Sequence, residues 1–360
     1  MDSSFFFGLS TMAYILAMVA YISYLAFKKP AIGATATGIT IFGLICQTAA
    51  IGLRWREFSQ RFGLGFLRSV PLTNLYESIV FFIWCLMLGY LIIEFKYKNR
   101  SFGAFVTPVA VIALAFIAIS GMPNQIEPLV PALQSNWLLA HVMMSFIAYS
   151  AFALAFSTGI MYLIETTGSR KEGAYIFWSV ALGLFISVLV CMGFDYLQFN
   201  EMSGAGFMKG YLFRGTYLSS SPLISILSWA GTAAIVYVVW RYGLGLKRAI
   251  EGFKLAPGTL DDITYKAIAI GFPIFTLGGL IFGAIWANQA WGVYWSWDPK
   301  ETWSLITWFV YAFYLHARLL RGWRGHKTAV VAVIGFIAVI FTYLGVNLLL
   351  SGLHSYGSIE

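Results

Sequence analysis

The sequence contains little charge and little cysteine. Only 11% of its 360 residues are Asp, Glu, Lys or Arg, whereas 59% are hydrophobic and the mean hydropathy is +0.77. A soluble domain of this length does not need so much apolar surface. The three cysteines stand alone in apolar runs, without a Cys-x-x-Cys pair. We therefore expect buried structural thiols and exclude a disulfide framework.

The sequence contains many long runs of apolar residues. A helix of about 20 apolar residues crosses a hydrocarbon core of about 30 Å. The sequence therefore predicts an all-α polytopic membrane protein, a bundle of about 8–10 transmembrane helices that forms a single integral membrane domain over residues 1–360. The first run lacks the basic start and small-residue cleavage site of a signal peptide, so we interpret it as a retained helix. Ten spans are predicted, at about 4–27, 34–54, 75–95, 104–120, 137–165, 174–194, 222–242, 266–287, 302–320 and 328–350.

The basic residues predict the orientation. With the amino terminus outside, 16 of the 23 Lys and Arg residues lie in inner loops or their margins and 7 lie outside, as the positive-inside rule favours. The net charge of +8 is therefore a topology signal, with little bearing on nucleic acid. In this orientation His141, the segment 286–303 and His354 meet at the outer face. The exception is a predicted outer loop with four arginines: Arg54, Arg56, Arg61 and Arg68. That loop meets an anionic partner or ligand, or else the first two spans are misplaced.

Residues 286–303 form the outer-face segment that is richest in tryptophan. It reads WANQAWGVYWSWDPKETW and contains five tryptophans. Tryptophan favours the membrane–water interface, so an aromatic belt is the plain alternative. The density of flat rings favours a shelf for a flat, apolar, partly charged ligand, and haem is the obvious candidate. Asp298, Pro299 and Glu301 have a structural explanation as the N-cap, N1 and N3 residues of a capping box. That explanation does not extend to Trp291, Trp295 and Trp297.

Four histidines are present. His141 and His354 flank the tryptophan-rich segment and suit axial ligation of haem iron, although a single histidine at a membrane boundary is commonly an interfacial residue. His316 lies within the span 302–320, roughly 20 Å below the outer surface. An ionisable residue at that depth is a functional candidate, and a neutral histidine bonded to a neighbouring helix is the alternative. His326 lies in a basic inner loop and needs no functional role.

Five motifs in the same order are typical of a known family. They are PLTNLYES at 71–78, HVMMS at 141–145, WGVYWSWDPKETW at 291–303, YLHAR at 314–318 and GLHSYG at 352–357. The chain resembles the CcsA (ResC-type) cytochrome c biogenesis proteins of the system II pathway, members of the WWD haem-handling family. The motifs span most of the chain, and the region about 170–250 is the least similar part.

This resemblance implies a machine that delivers haem and attaches it covalently to apocytochrome c. In the family two outer-face histidines, matched here by His141 and His354, ligate the iron at the WWD segment, and an intramembrane histidine, matched by His316, holds haem in transit. Haem b is then a transported substrate. The second intramembrane histidine belongs to a CcsB-type partner, so holocytochrome c synthase (haem lyase) activity is expected only with that partner. The WWD segment of this chain, 286–303, contributes Trp291, Trp295, Trp297, Asp298 and Trp303.

The other partners implied are apocytochrome c with its Cys-x-x-Cys-His motif and membrane lipid, without nucleic acid. The expected location is an energy-transducing membrane, the bacterial plasma membrane or the thylakoid, with the WWD segment and the carboxyl terminus on the outer or lumenal side. The outer arginines, Arg54 among them, would attract haem propionates or an acidic partner surface. Two other functions remain open, a b-type haem electron-transfer subunit and a haem-independent transporter.

Overall fold

The computed structural model describes residues 2–63, 65, 69–119, 125–127, 134–203, 216–251 and 256–346. Within these ranges all regular structure is helical, as predicted, and all three cysteines are buried and free. The helices are α1 (Ser3–Phe27), α2 (Pro30–Phe62), α3 (Leu75–Tyr97), α4 (Gly103–Ile119), α5 (Asn136–Thr166), α6 (Gly173–Ser203), α7 (Pro222–Glu251), α8 (Pro257–Phe275), α9 (Gly283–Trp291), α10 (Pro299–Leu320) and α11 (His326–Ile340).

Nine segments of the described chain are long and apolar enough to cross a membrane. One of them, Pro257–Trp291, joins α8 and α9 through a wider π-turn at Thr276–Phe282. The predicted span 266–287 lies inside this segment and is therefore too short. The two helices predicted between 170 and 250 are present as α6 and α7, with residues 204–215 between them outside the described ranges. These findings confirm an integral membrane protein with an all-α fold.

Helix α10, which corresponds to the predicted span 302–320, is not among the nine apolar segments. Its 22 residues include charged groups near both ends, such as Lys300, Glu301 and Arg318. The helix packs with its tyrosine-bearing face inward, and Tyr311 and Tyr314 are fully buried. The Tyr311 ring stacks on that of Phe152 in α5, with ring centroids 3.7 Å apart and an interplanar angle of 11°.

Helix α5 lies at the centre of the bundle and packs against α3, α8 and α11. A pair of hydroxyl groups joins α5 to α8: the Thr158 Oγ1 atom lies 2.7 Å from Thr264 Oγ1. Each hydroxyl oxygen also lies within hydrogen-bond distance of the carbonyl oxygen one turn earlier in its own helix, which accepts the hydroxyl proton when it is not shared across the pair. The position of α5 decides where His141, near its beginning, meets the other helices.

An outer loop was predicted from Arg54 to Arg68, but most of this stretch is helical. Helix α2 continues to Phe62, so the prediction of a loop is wrong up to that residue. Arg54 and Phe58 are one helical turn apart and both are buried, so the inward face of α2 remains covered beyond the apolar run. The Arg54 Nε atom lies 2.6 Å from Glu77 Oε1 in α3. Arg54 is therefore a buried structural residue and is not presented to a ligand. Arg68 lies outside the described residues.

Candidate functional site

His141 lies in the second turn of α5, and its position near the beginning of that helix is as predicted. Its Nδ1 atom is 2.8 Å from the carbonyl oxygen of Gly278. A carbonyl oxygen accepts hydrogen bonds and cannot donate them, so the Nδ1 atom carries the proton. In the neutral imidazole the lone pair is then on Nε2, the atom that a metal requires. The tautomer of His141 is thus selected by the backbone of a neighbouring segment.

The acceptor of that hydrogen bond belongs to the π-turn Thr276–Phe282. Such turns interrupt the regular i→i−4 ladder of a helix and are frequent at functional sites. Two glycines allow the close approach. A β-carbon on Gly278 would lie 2.2 Å from the β-carbon of Met144, and one on Gly283 would lie 2.9 Å from the Cε1 and Nδ1 atoms of His141. The turn and its glycines therefore determine the position of the imidazole.

Trp286 covers one side of His141. The two rings are nearly parallel, with centroids 6.2 Å apart and an interplanar angle of 15°. Trp286 is buried, and its ring meets that of Trp291 edge to face at 4.8 Å. The sequence places Trp286 in the tryptophan-rich segment, but sequence reasoning missed its contact with His141. The signal available was Gly283, one helical turn earlier on the same side of α9.

The tryptophans of the segment do not form one continuous stack. Trp295 and Trp297 meet edge to face, with centroids 5.8 Å apart and an interplanar angle of 87°. The Trp303 ring leaves the group and packs on Phe341 at 4.1 Å. Edge-to-face packing is favourable for aromatic rings, and it turns their faces in different directions.

The Trp297 ring and the Trp295 indole N–H are the two groups of this segment that could contact a ligand. The Trp297 side chain is 69% exposed, so its ring faces outward from the protein. The Trp295 Nε1 atom is buried and has no hydrogen-bond partner among the described residues. A buried N–H group without an acceptor is destabilising, and an acceptor from a bound molecule would relieve that cost. An exposed ring beside an unpaired donor fits a flat ligand with acidic edge groups.

The capping box predicted for α10 is present. The side chain of Asp298 accepts a hydrogen bond from the Lys300 backbone N–H at 3.0 Å, and Glu301 Oε2 accepts one from the backbone N–H of Asp298 at 3.3 Å. Glu301 Oε2 also accepts from the Ser296 backbone N–H at 2.7 Å. These bonds fix the segment immediately after Trp295 and Trp297 to the beginning of α10.

Lys300 lies in the first turn of α10, before the predicted span. Burial lowers the pKa of its ammonium group to about 8, and the nearby carboxylate of Asp298 opposes that shift. Its Nζ atom lies 5.9 Å from the centre of the Tyr343 ring. The group therefore loses its charge as the pH rises through about 8, well below the pH at which a solvated lysine does.

The structure brings His141 together with Trp286 and Trp291, whereas His316 lies elsewhere. His316 is exposed on the outward face of α10, where its neighbours Phe309, Phe313 and Leu320 are also exposed. His326 is at the other end of the bundle, and its Nε2 atom lies 2.7 Å from Thr166 Oγ1. His354 lies outside the described residues, which end at Val346.

The backbone of Trp297 leads to a first testable prediction. Its φ of 61° is in the left-handed region, where a β-carbon costs about 1–2 kcal/mol and glycine costs nothing. We expect Trp297→Gly to unfold at a higher temperature than Trp297→Ala, although both variants lose the same ring. Thermal unfolding of the full chain in detergent measures the difference. Equal unfolding temperatures would show that the backbone at this position carries no strain.

A bundle of apolar helices, with an aromatic segment and a tautomer-selected histidine at one end, defines an integral membrane protein with a candidate site for a flat ligand. The sequence model of the cytochrome c assembly protein family matches residues 72–354. Proteins named cytochrome c biogenesis protein CcsA are similar to the chain over nearly its full length.

Three of these relatives come from cyanobacteria. The protein from Gloeobacter violaceus is 39% identical over 96% of this chain and 93% of its own length. The protein from Microcystis aeruginosa is 40% identical over 97% of this chain and 95% of its own length. The protein from Synechocystis is 38% identical, over 98% and 97%. The chain belongs to the CcsA family of cytochrome c biogenesis proteins and has a role in cytochrome c maturation. The cyanobacterial origin of these relatives fits a location in a thylakoid or plasma membrane.

Proposed function

We propose that the chain delivers haem to its tryptophan-rich end and holds it there for covalent attachment to apocytochrome c, as one subunit of a CcsA–CcsB-type cytochrome c synthase. The observation that carries this proposal is the hydrogen bond between His141 Nδ1 and the Gly278 carbonyl, at 2.8 Å. Metal-ligating histidines commonly donate their second ring N–H to a backbone carbonyl, which fixes the tautomer and the ring orientation.

The residues of this end suit haem b as a transported substrate. His141 Nε2 is one proposed axial ligand, and His354 is the other. The Trp295 Nε1–H, to which no described residue offers an acceptor, is a donor for a propionate, and the exposed ring of Trp297 is a stacking surface. Trp291 packs edge to face on Trp286, the ring that covers His141. Asp298 and Trp303 act as positioning residues, Asp298 through the capping box and Trp303 through its backbone carbonyl, which accepts a hydrogen bond from Thr342 at 3.0 Å.

The attachment step needs positioning and no redox change. Each of the two cysteine thiols of the Cys-x-x-Cys-His motif adds across one vinyl group, so that a carbon–sulfur bond forms and the thiol proton goes to the other vinyl carbon. The histidine of the motif then replaces one of the two axial ligands, His141 or His354. Aligned reactants overcome much of an otherwise entropic barrier. The chain's own three cysteines are buried and supply no thiol.

His316 supports the proposed need for a CcsB-type partner. The residue is exposed on the outward face of α10, between Phe313 and Leu320. An ionisable side chain within a membrane normally faces protein or a polar cavity, because contact with lipid is unfavourable. A partner helix on this face, with the second intramembrane histidine, would cover His316 and complete a haem site. The chain alone is then an incomplete synthase.

The excess of basic residues at the opposite end of the bundle supports an outer or lumenal position for the tryptophan-rich segment.

Two other functions give different spectra. A b-type electron-transfer subunit holds haem permanently between histidines deep in the bilayer, and a haem-independent transporter binds no haem.

The visible spectrum, oxidised and reduced, of the full chain purified with its CcsB-type partner tests the proposal. We expect bound haem in the parent, and haem that is lost or altered in its ligand-sensitive bands in His141→Ala and in His354→Ala. His326→Ala is the matched control and should leave the spectrum unchanged, because His326 is at the other end of the bundle. Haem that is unaffected by both substitutions would favour an intramembrane b-type site. A protein without haem would favour the transporter.

A further inference from the structure

A polar pocket of about 680 Å³ lies at the end of the bundle opposite the tryptophan-rich segment. It is an open pocket formed where α8 begins, where α10 ends and by the turn that precedes α11, with one wall from α5. Its lining includes Tyr162, Asp261, Tyr265, Arg318, Leu319 and Arg324. Nothing in the proposed handling of haem at the other end uses these residues.

Both carboxylates of the pocket are neutralised by partners within the protein. Arg318 Nη1 donates to both oxygens of Asp261, at 2.7 and 2.6 Å, and the Gly325 backbone N–H donates to Asp261 Oδ1 at 3.3 Å. Asp262 pairs with Lys266 at 2.5 Å. These acidic groups therefore do not make the pocket anionic.

Arg324 gives the pocket its surplus positive charge. The side chain is exposed, and no carboxylate or other hydrogen-bond acceptor contacts it within the described chain. The guanidinium group presents several N–H donors in a planar fork, which matches the oxygens of a phosphate or carboxylate. Arg321 on the same turn and Lys327 at the beginning of α11 are also exposed and add to the positive potential around the mouth of the pocket.

One side of the pocket is continuous with the apolar surface of the bundle. Leu319 is in the lining and is 64% exposed, and the adjacent Leu320 is 73% exposed. A ligand whose apolar part remains in the bilayer can therefore place a charged group inside the pocket. Such a ligand is an amphiphile with an anionic head, and the membrane itself supplies it.

We propose that this pocket binds the acidic headgroup of a membrane phospholipid, with Arg324 bound to its phosphate oxygens. Basic pockets between transmembrane helices at a membrane surface bind acidic headgroups in this way. The bound lipid would connect the turn between α10 and α11 to the beginning of α8. This proposal uses only the membrane location of the chain, so it is independent of the haem function.

Thermal unfolding of the full chain in lipid nanodiscs tests the proposal. Bilayers of phosphatidylcholine alone are compared with bilayers that also contain phosphatidylglycerol. We expect phosphatidylglycerol to raise the unfolding temperature of the parent and of Arg321→Gln, and this rise to be lost in Arg324→Gln. The control removes an exposed arginine of the same turn that does not line the pocket. An equal rise in all three proteins would indicate a general surface-charge effect and would overturn the proposal.

Haem propionates are carboxylates and share the chemistry of the ligand, so a second arm distinguishes them. Haem and its dimethyl ester are added to the same proteins in phosphatidylcholine alone. Any difference between the two compounds should be the same in the parent and in Arg324→Gln, because the propionate contact proposed at Trp295 does not involve Arg324. The lipid assignment would be overturned in favour of haem carboxylates by two results together. Haem would raise the unfolding temperature more than the ester in the parent but not in Arg324→Gln, and phosphatidylglycerol would have no effect.

Discussion

Replacing Gly278 with alanine should destabilise the bundle and disturb His141 at the same time. The added β-carbon would lie 2.2 Å from the β-carbon of Met144 and 3.3 Å from that residue's backbone carbon atoms. The clash is with the backbone side of α5, so a change of rotamer cannot relieve it and the helices must separate. Overpacking commonly costs about 1–3 kcal/mol, and we expect a loss of at least about 3 kcal/mol here.

The same displacement moves the carbonyl that accepts the proton of His141 Nδ1. We therefore expect Gly278→Ala to unfold at a lower temperature and to have weaker haem absorption than the parent, measured on the complex with the partner. Gly52→Ala is the matched control: Gly52 is also a helical glycine, but nothing lies within 4 Å of an added β-carbon. There alanine should be neutral or stabilise by up to about 1 kcal/mol. A Gly278→Ala protein as stable as Gly52→Ala would contradict the close packing of α5 on the π-turn.

Replacing Glu77 with glutamine should strongly destabilise the bundle. The side chains of Arg54 and Glu77 are only 4% and 1% exposed, and their Nε and Oε1 atoms are 2.6 Å apart. Glu77 Oε2 also accepts from the backbone N–H of Thr73 at 2.7 Å and from its hydroxyl at 2.9 Å. Glutamine takes away the negative charge of Glu77 that faces the buried Arg54, and breaking a buried pair in this way costs about 3–5 kcal/mol.

Chemical unfolding of the full chain measures this loss, with Asp262→Asn as the control. Asp262 pairs with Lys266, but those side chains are 43% and 51% exposed, and exposed pairs contribute about 0–1 kcal/mol. The combined variant Arg54→Met, Glu77→Gln removes the uncompensated charge and should recover part of the stability. If Glu77→Gln loses no more than Asp262→Asn, the buried pair is not a significant source of stability.

The sequence predicted the parts of the fold that depend on local patterns. The apolar runs predicted the spans, and Asp298, Pro299 and Glu301 predicted the beginning of α10, because a capping box uses residues three positions apart. The error at Arg54 has a long-range cause: the arginine is buried within α2, and Glu77 in another helix neutralises its charge. No property of the sequence near Arg54 indicates that partner.

The candidate site was predicted less completely than the spans. The position of His141 at a helix beginning followed from the apolar run, but its acceptor, the Gly278 carbonyl, is far away in the sequence and depends on how α5 packs against the π-turn. The shelf expected from the density of the tryptophan rings depends on their rotamers, and the structure has edge-to-face pairs. The ligand roles of His141, His354 and His316 and the single domain over 1–360 stay predictions.

The π-turn at Thr276–Phe282 also sets the rotation of α9 about the helix axis relative to α8. A π-turn is equivalent to one extra residue in an α-helix, and each residue rotates the chain by about 100°. Deleting a single residue from this turn would rotate α9 by that angle relative to α8, so that Trp286 would no longer face His141. A substitution in this turn acts through the contacts of one residue, whereas a deletion would turn the whole tryptophan-rich segment away from His141.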